Sequence, residues 1–154
     1  LLPDGPDDDV AVLVARVDPT EGEQGLSQRF EATEHAVTEA RHLASHHLTE
    51  RSVRGTLVDD VVLVTSELVT NAIVHGLGPI DLRMRINPRE VLVEVQDRGT
   101  FQPRKLRPTA EDEHGRGLQI VAALAARWGT RATEDGKSVW CVVSADDALD
   151  TDPG

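Results

Sequence analysis

The chain has 154 residues, enough for one ordinary domain with a real core, and no apolar run approaches the roughly twenty residues that would span a membrane. A formal charge of −11 argues against nonspecific binding to DNA or to anionic lipid. The single cysteine, Cys141, rules out an intramolecular disulfide and suits a reducing, cytoplasmic setting.

The chain begins without a methionine, and Pro6-Asp7-Asp8-Asp9 runs straight into Val10-Ala11-Val12-Leu13-Val14-Ala15-Arg16, an acidic turn followed by a strand. This is similar to the closing motif of bacterial metal-dependent (PPM-type) serine/threonine phosphatases. That resemblance implies a residual phosphatase strand over residues 1–18. The alternative on the residues alone is an acidic leader with an edge strand. Asp8 and Asp9 could not hold a catalytic metal by themselves, because such sites need several converging oxygen ligands. Residues 19–26, rich in Gly and acidic side chains, read as a linker. Much of the negative charge is local: residues 1–25 hold seven acids and one Arg, a net −6, which leaves −5 for the rest.

Ser27 to Ala32 reads as a short strand and Thr33 to Glu50 as a helix capped by Thr33. Thr56 to His75 has helical spacing, with Thr56 and Asp59 as a capping box. On a helical wheel, Leu57, Val58, Val61, Val62, Val64, Leu68, Val69, Ala72 and Ile73 cover roughly half the circumference. Asp59, Ser66 and Thr70 supply a solvent stripe. Glu67 and Asn71, at i and i+4, face inwards together with Leu63, Val64 and Val74 around them. Burying a carboxylate and an amide costs several kcal/mol unless a ligand, a metal ion or an internal hydrogen-bond network meets them.

Ile80 to Ile86 is a predicted strand, Asn87-Pro88-Arg89-Glu90 a hairpin turn, and Val91 to Val95 a strand of β-branched residues ending in Gln96-Asp97-Arg98-Gly99. Thr100 to His114 is a short charged loop carrying Arg104, Lys105 and Arg107 ahead of Glu111-Asp112-Glu113. His114-Gly115-Arg116-Gly117-Leu118 opens a second apolar helix. Trp128 to Thr133 and Ser138 to Ser144 form a hairpin about Glu134-Asp135-Gly136-Lys137, followed by a polar tail over residues 145–154. The expected fold is α+β: a two-layer sandwich of a mixed, mostly antiparallel sheet with helices on one face.

The order of these boxes, a helix with Glu67 and Asn71, a strand with Asp97-x-Gly99, a loop, and Gly115-x-Gly117 opening a helix, resembles the Bergerat-type (histidine-kinase-like) ATPases over residues 27–144. Within that group, Glu67-Leu68-Val69-Thr70-Asn71-Ala72-Ile73-Val74-His75-Gly76 is most similar to the anti-sigma factor serine kinases. The three boxes together are specific, whereas each glycine pair alone is weak.

The resemblance implies a role for each box. Asn71 would place its carbonyl oxygen on a Mg²⁺ ion that bridges the phosphates of ATP. Asp97 would accept from the exocyclic amine of adenine, where guanine offers an oxygen, and Gly99 would let the backbone pass close to the base. Gly115, Arg116, Gly117 and Leu118 would offer backbone N–H groups, a helix N-terminus and one cation to the phosphates. Glu67 would take the proton from an attacking hydroxyl, or else support Asn71. His75 caps the helix end. Ser138 would bring a hydroxyl near adenine, though it is equally an ordinary strand residue. One departure stands out: the chain reads Gly99-Thr100-Phe101 where the family often has a second glycine, so the hinge of the loop is altered.

As a whole the resemblance implies an ATP- and Mg²⁺-dependent protein serine kinase that phosphorylates an anti-anti-sigma (STAS-domain) partner and so controls a sigma factor. It also implies dimerisation through the first strand and helix, although residues 27–50 show no surface feature that marks it. A module that holds ATP and only sequesters its partner is the alternative. A sensor histidine kinase fits less well, since His42, His46 and His47 sit in no obvious acceptor motif.

Overall fold

The structure, a computed structural model, describes residues 24–87, 89–100 and 115–145. The expected acidic turn and strand over residues 6–16, most of the 19–26 linker, the charged loop from Phe101 to His114 and the tail beyond Ala145 lie outside the described residues. The elements run β1 (Gln24–Phe30), α1 (Glu34–Glu50), α2 (Thr56–His75), β2 (Ile80–Ile86), β3 (Glu90–Asp97), α3 (Gly115–Leu124), β4 (Arg127–Ala132) and β5 (Lys137–Ser144).

The five strands lie in the order β1-β2-β3-β5-β4. Every pairing is antiparallel, so among the described residues the sheet is not the mixed one expected. β1 begins at Gln24, ahead of the expected Ser27, because Gln24 to Leu26 pair with Met84 to Ile86 of β2. The β2–β3 turn is tied by Asn87, whose Oδ1 accepts from the N–H groups of Arg89 and Glu90 at 3.0 and 2.8 Å.

Alternation puts Leu82, Met84, Val91, Val93, Val95, Val139, Cys141 and Val143 on one face, all of them buried in one apolar cluster with the helices. α2 packs on β2, β3 and β5, α1 lies on α2, and α3 lies against α2 and β4. Ala36, Ala40, Ala44 and Leu48 of α1, spaced four apart, form the buried stripe of that helix. Cys141 is wholly buried, and that burial pushes its thiol up to about 12. No helix among the described residues is long and apolar enough to cross a membrane.

Two helix ends differ from expectation. Gly55, not Thr56, is the N-cap of α2, with φ 75 and ψ −152 and no side-chain capping bond, so the capping box does not form. That backbone region is open to glycine and strained for other residues. Thr33 does cap α1, but its side chain makes no capping hydrogen bond.

The far end of α1 closes with Ser52 N–H on Thr49 O at 3.1 Å and Val53 N–H on Leu48 O at 3.0 Å, with Ser52 at φ 63. This is a Schellman closure carrying serine where glycine is preferred. Ser52→Gly is therefore expected to stabilise the fold by about 0.5–1 kcal/mol, read as a raised midpoint in urea; a lowered midpoint would contradict the strain argument.

Candidate functional site

The site forms where the C-terminal half of α2, the end of β3, the start of β5 and the first turn of α3 meet. Asn71 is buried, and its Nδ2 has no hydrogen-bond partner among the described residues. Glu67, one turn earlier, is half-buried, and desolvation raises its carboxyl above the ordinary value. A side chain at Gly117 would place its first carbon 2.6 Å from Glu67 Oε2, so the first turn of α3 lies close against that carboxylate, which would have to turn aside for any larger residue. The partial positive charge of a helix N-terminus then faces Glu67.

The surroundings of this pair are more open than expected. Leu63 and Val74, expected to enclose it, are 41% and 42% exposed. Glu67 therefore sits on a boundary stripe of α2 and not inside the core.

Asp97, the last residue of β3, is almost completely buried, and each of its carboxylate oxygens has a partner. Its Oδ1 accepts from Gly99 N–H at 2.6 Å, and its Oδ2 pairs with Lys137 Nζ at 2.7 Å. Lys137 is itself 2% exposed, and its ammonium also donates to His75 O at 3.4 Å, at the C-terminal end of α2. Gly76 and Gly99 both pack against Asp97: a first side-chain carbon on Gly76 would lie 2.6 Å from Oδ1, and one on Gly99 2.9 Å from it. Gly76 has φ −105, so this close approach, and not left-handed backbone, requires glycine there.

Lys137 was not anticipated from the sequence, and Ser138 does not join the group. β3 and β5 pair Asp97 with Lys137 and Gln96 with Ser138, and successive side chains point to opposite faces. Ser138 is consequently buried on the far side of the sheet, with its Oγ unpartnered. The parity was readable: Val91, Val93, Val95 and Asp97 share one face, as do Lys137, Val139, Cys141 and Val143.

Gly115, Arg116, Gly117 and Leu118 form the first turn of α3, as expected. Leu118 is buried in the core, so only its backbone is available to a ligand. The side chain of Arg116 lies outside the described part. His75 is the last residue of α2, and its carbonyl accepts from Lys137 Nζ.

Among the described residues no three of His, Cys, Asp and Glu converge as a metal site. A divalent cation would thus take most of its ligands from phosphate and water, which suits Mg²⁺ and the single oxygen that Asn71 has to give. The unpartnered Asn71 amide, the first turn of α3 at Gly117 and the buried Asp97 carboxylate are the groups here that could hold a nucleotide.

The comparisons agree with this fold. In the solved structure of the RsbU and RsbW domains of Rv1364c from Mycobacterium tuberculosis, a similar fold covers 79% of this chain at a TM-score of 0.58 and 20% identity. The chain spans 32% of that protein's length. Among curated proteins none matches. The profile of the histidine kinase-like ATPase domain matches residues 30–143, from the last residue of β1 into β5, and takes in every site element described above. The chain therefore belongs to the histidine kinase-like ATPase domain family.

Proposed function

We propose that this domain is an ATP- and Mg²⁺-dependent protein serine kinase of the anti-sigma type, acting on a small anti-anti-sigma (STAS-domain) partner. The observation that carries the reading is Glu67. It lies one helical turn before Asn71, against the first turn of α3, with its proton affinity raised by burial. A general base works best when its pKa lies nearer the working pH than an exposed carboxylate allows.

In this reading the chain's own residues divide the work. Asp97 holds the base of ATP, and the N–H groups from Gly115 to Leu118 hold its phosphates. Asn71 gives one oxygen to Mg²⁺, which, when bound, neutralises charge on the phosphates. Glu67 accepts the proton of the incoming serine hydroxyl as its oxygen attacks the γ-phosphorus and the bond to ADP breaks. Serine as acceptor and the STAS fold of the partner rest on the likeness of residues 67–76 to the anti-sigma kinases. A closing phosphatase strand over residues 1–18 rests on its own short motif alone.

Asn71→Ala tests the metal role. It is expected to weaken ATP binding in Mg²⁺ by at least tenfold while changing binding in EDTA little, as read by calorimetry. Equal losses under both conditions would make Asn71 a packing residue.

The second reading, an ATP-holding module that sequesters a partner without transfer, draws on Leu63 and Val74, exposed apolar residues on the same side of α2 as Glu67. Phosphate label on a STAS-domain protein after incubation with radiolabelled ATP separates the two readings.

A further inference from the structure

Lys137 is paired with Asp97, the carboxylate to which the reading above assigns the base, and its burial there needs a reason. An ammonium carries three donors. Two are accounted for among the described residues, by Asp97 Oδ2 at 2.7 Å and His75 O at 3.4 Å. A buried ion pair alone is a weak source of stability, since desolving both charges offsets much of their attraction. The partners of Asp97 are also unequal. Oδ1 is committed to Gly99 N–H and closed in by Gly76 and Gly99, whereas Oδ2, bonded to Lys137, keeps a second lone pair.

Asp97 Oδ2 and Lys137 Nζ thus stand as an acceptor and a donor side by side, 2.7 Å apart. On its pairing edge adenine has the complementary order: the exocyclic amine is a donor and the adjoining ring nitrogen N1 an acceptor. Resting on the ATP-binding reading above, we propose that Lys137 is a specificity-determining residue that donates to adenine N1 while Asp97 accepts from the amine. Guanine in the same position sets an oxygen against the carboxylate and an N–H against the ammonium. Two contacts, not one, then oppose it.

The alternative role for Lys137 is a strut that ties the end of α2 to the sheet, with no contact to the base. Atomic replacement in the ligand separates the two without touching the protein. 1-Deaza-ATP keeps the amine and replaces N1 by a C–H. Titrated in Mg²⁺, the unaltered chain is expected to bind it about 10- to 100-fold more weakly than ATP, the factor that a hydrogen bond from a charged donor is worth. Lys137→Met is expected to bind ATP and 1-deaza-ATP within about twofold of each other. Should Lys137→Met fail to fold, Lys137→Gln, which keeps an N–H donor, is expected to narrow the ratio without abolishing it.

Equal binding of ATP and 1-deaza-ATP by the unaltered chain would overturn the proposal and leave Lys137 a strut. An unchanged ratio in the variant would overturn it as well, by assigning N1 to another donor. Absence of binding by ATP itself is a different failure, that of the nucleotide reading on which this one rests.

Discussion

Asp97→Ala is expected to abolish ATP binding and to destabilise the fold by about 3–5 kcal/mol. Both effects follow from its partners. Oδ2 is the counter-ion of Lys137, which is 2% exposed, and Oδ1 anchors the Gly99 amide. Among the described residues, truncation leaves a buried ammonium with only the carbonyl of His75 at 3.4 Å. Adding Lys137→Met removes that uncompensated charge, so the double variant should recover most of the lost stability in urea denaturation. It should not recover binding, because the acceptor for adenine is still missing. Recovery of both would show that Asp97 acts on the fold and not on the ligand.

The second large effect belongs to Glu67. Glu67→Gln keeps the shape of the side chain and removes its basicity, so phosphate transfer is expected to fall by two or more decades with ATP affinity nearly unchanged. Unchanged transfer would remove Glu67 as the base. Stability gives an independent check. Burial raises the folded-state pKa of Glu67 above its ordinary 4.5, so the folded chain holds this proton more tightly than the unfolded one. That contribution is full below about pH 4.5 and is lost as pH rises through the folded value. Glu67→Gln should match the parent near pH 4 and melt higher than it at pH 7. A variant that melts lower at pH 7 would mean that the carboxylate is stabilised where it lies, by the N-terminus of α3 or by another group.

Much of this architecture was legible because its signals are local. The apolar spacing from Leu57 to Ile73 fixed α2, and alternation ending at Asn87 fixed β2 at both ends. Gln24 and Gly25 read as linker, and only pairing with Arg85 and Ile86 makes them strand, a long-range fact that composition does not carry. Gly55 and Thr56 are both acceptable caps on paper, and the backbone at φ 75 decided for glycine.

The site was legible in the same measure. Glu67, Asn71, Asp97 and the Gly115 to Leu118 turn come together because each sits at a fixed place on an element whose ends were readable. Lys137 escaped because register matters more than neighbourhood: shifting attention by one residue, to Ser138, changes which face of the sheet a side chain joins. Charged residues at the ends of two core-facing rows on neighbouring strands are the signal that would have found the Asp97–Lys137 pair.

Calorimetric titration of the chain with ATP and with GTP, each in Mg²⁺, tests the central claim most directly. Saturable binding of ATP with GTP at least tenfold weaker is the result expected from an Asp97 carboxylate that meets an amine. Equal affinity for the two nucleotides, or no binding of either, would contradict the assignment of this site to the adenine of ATP.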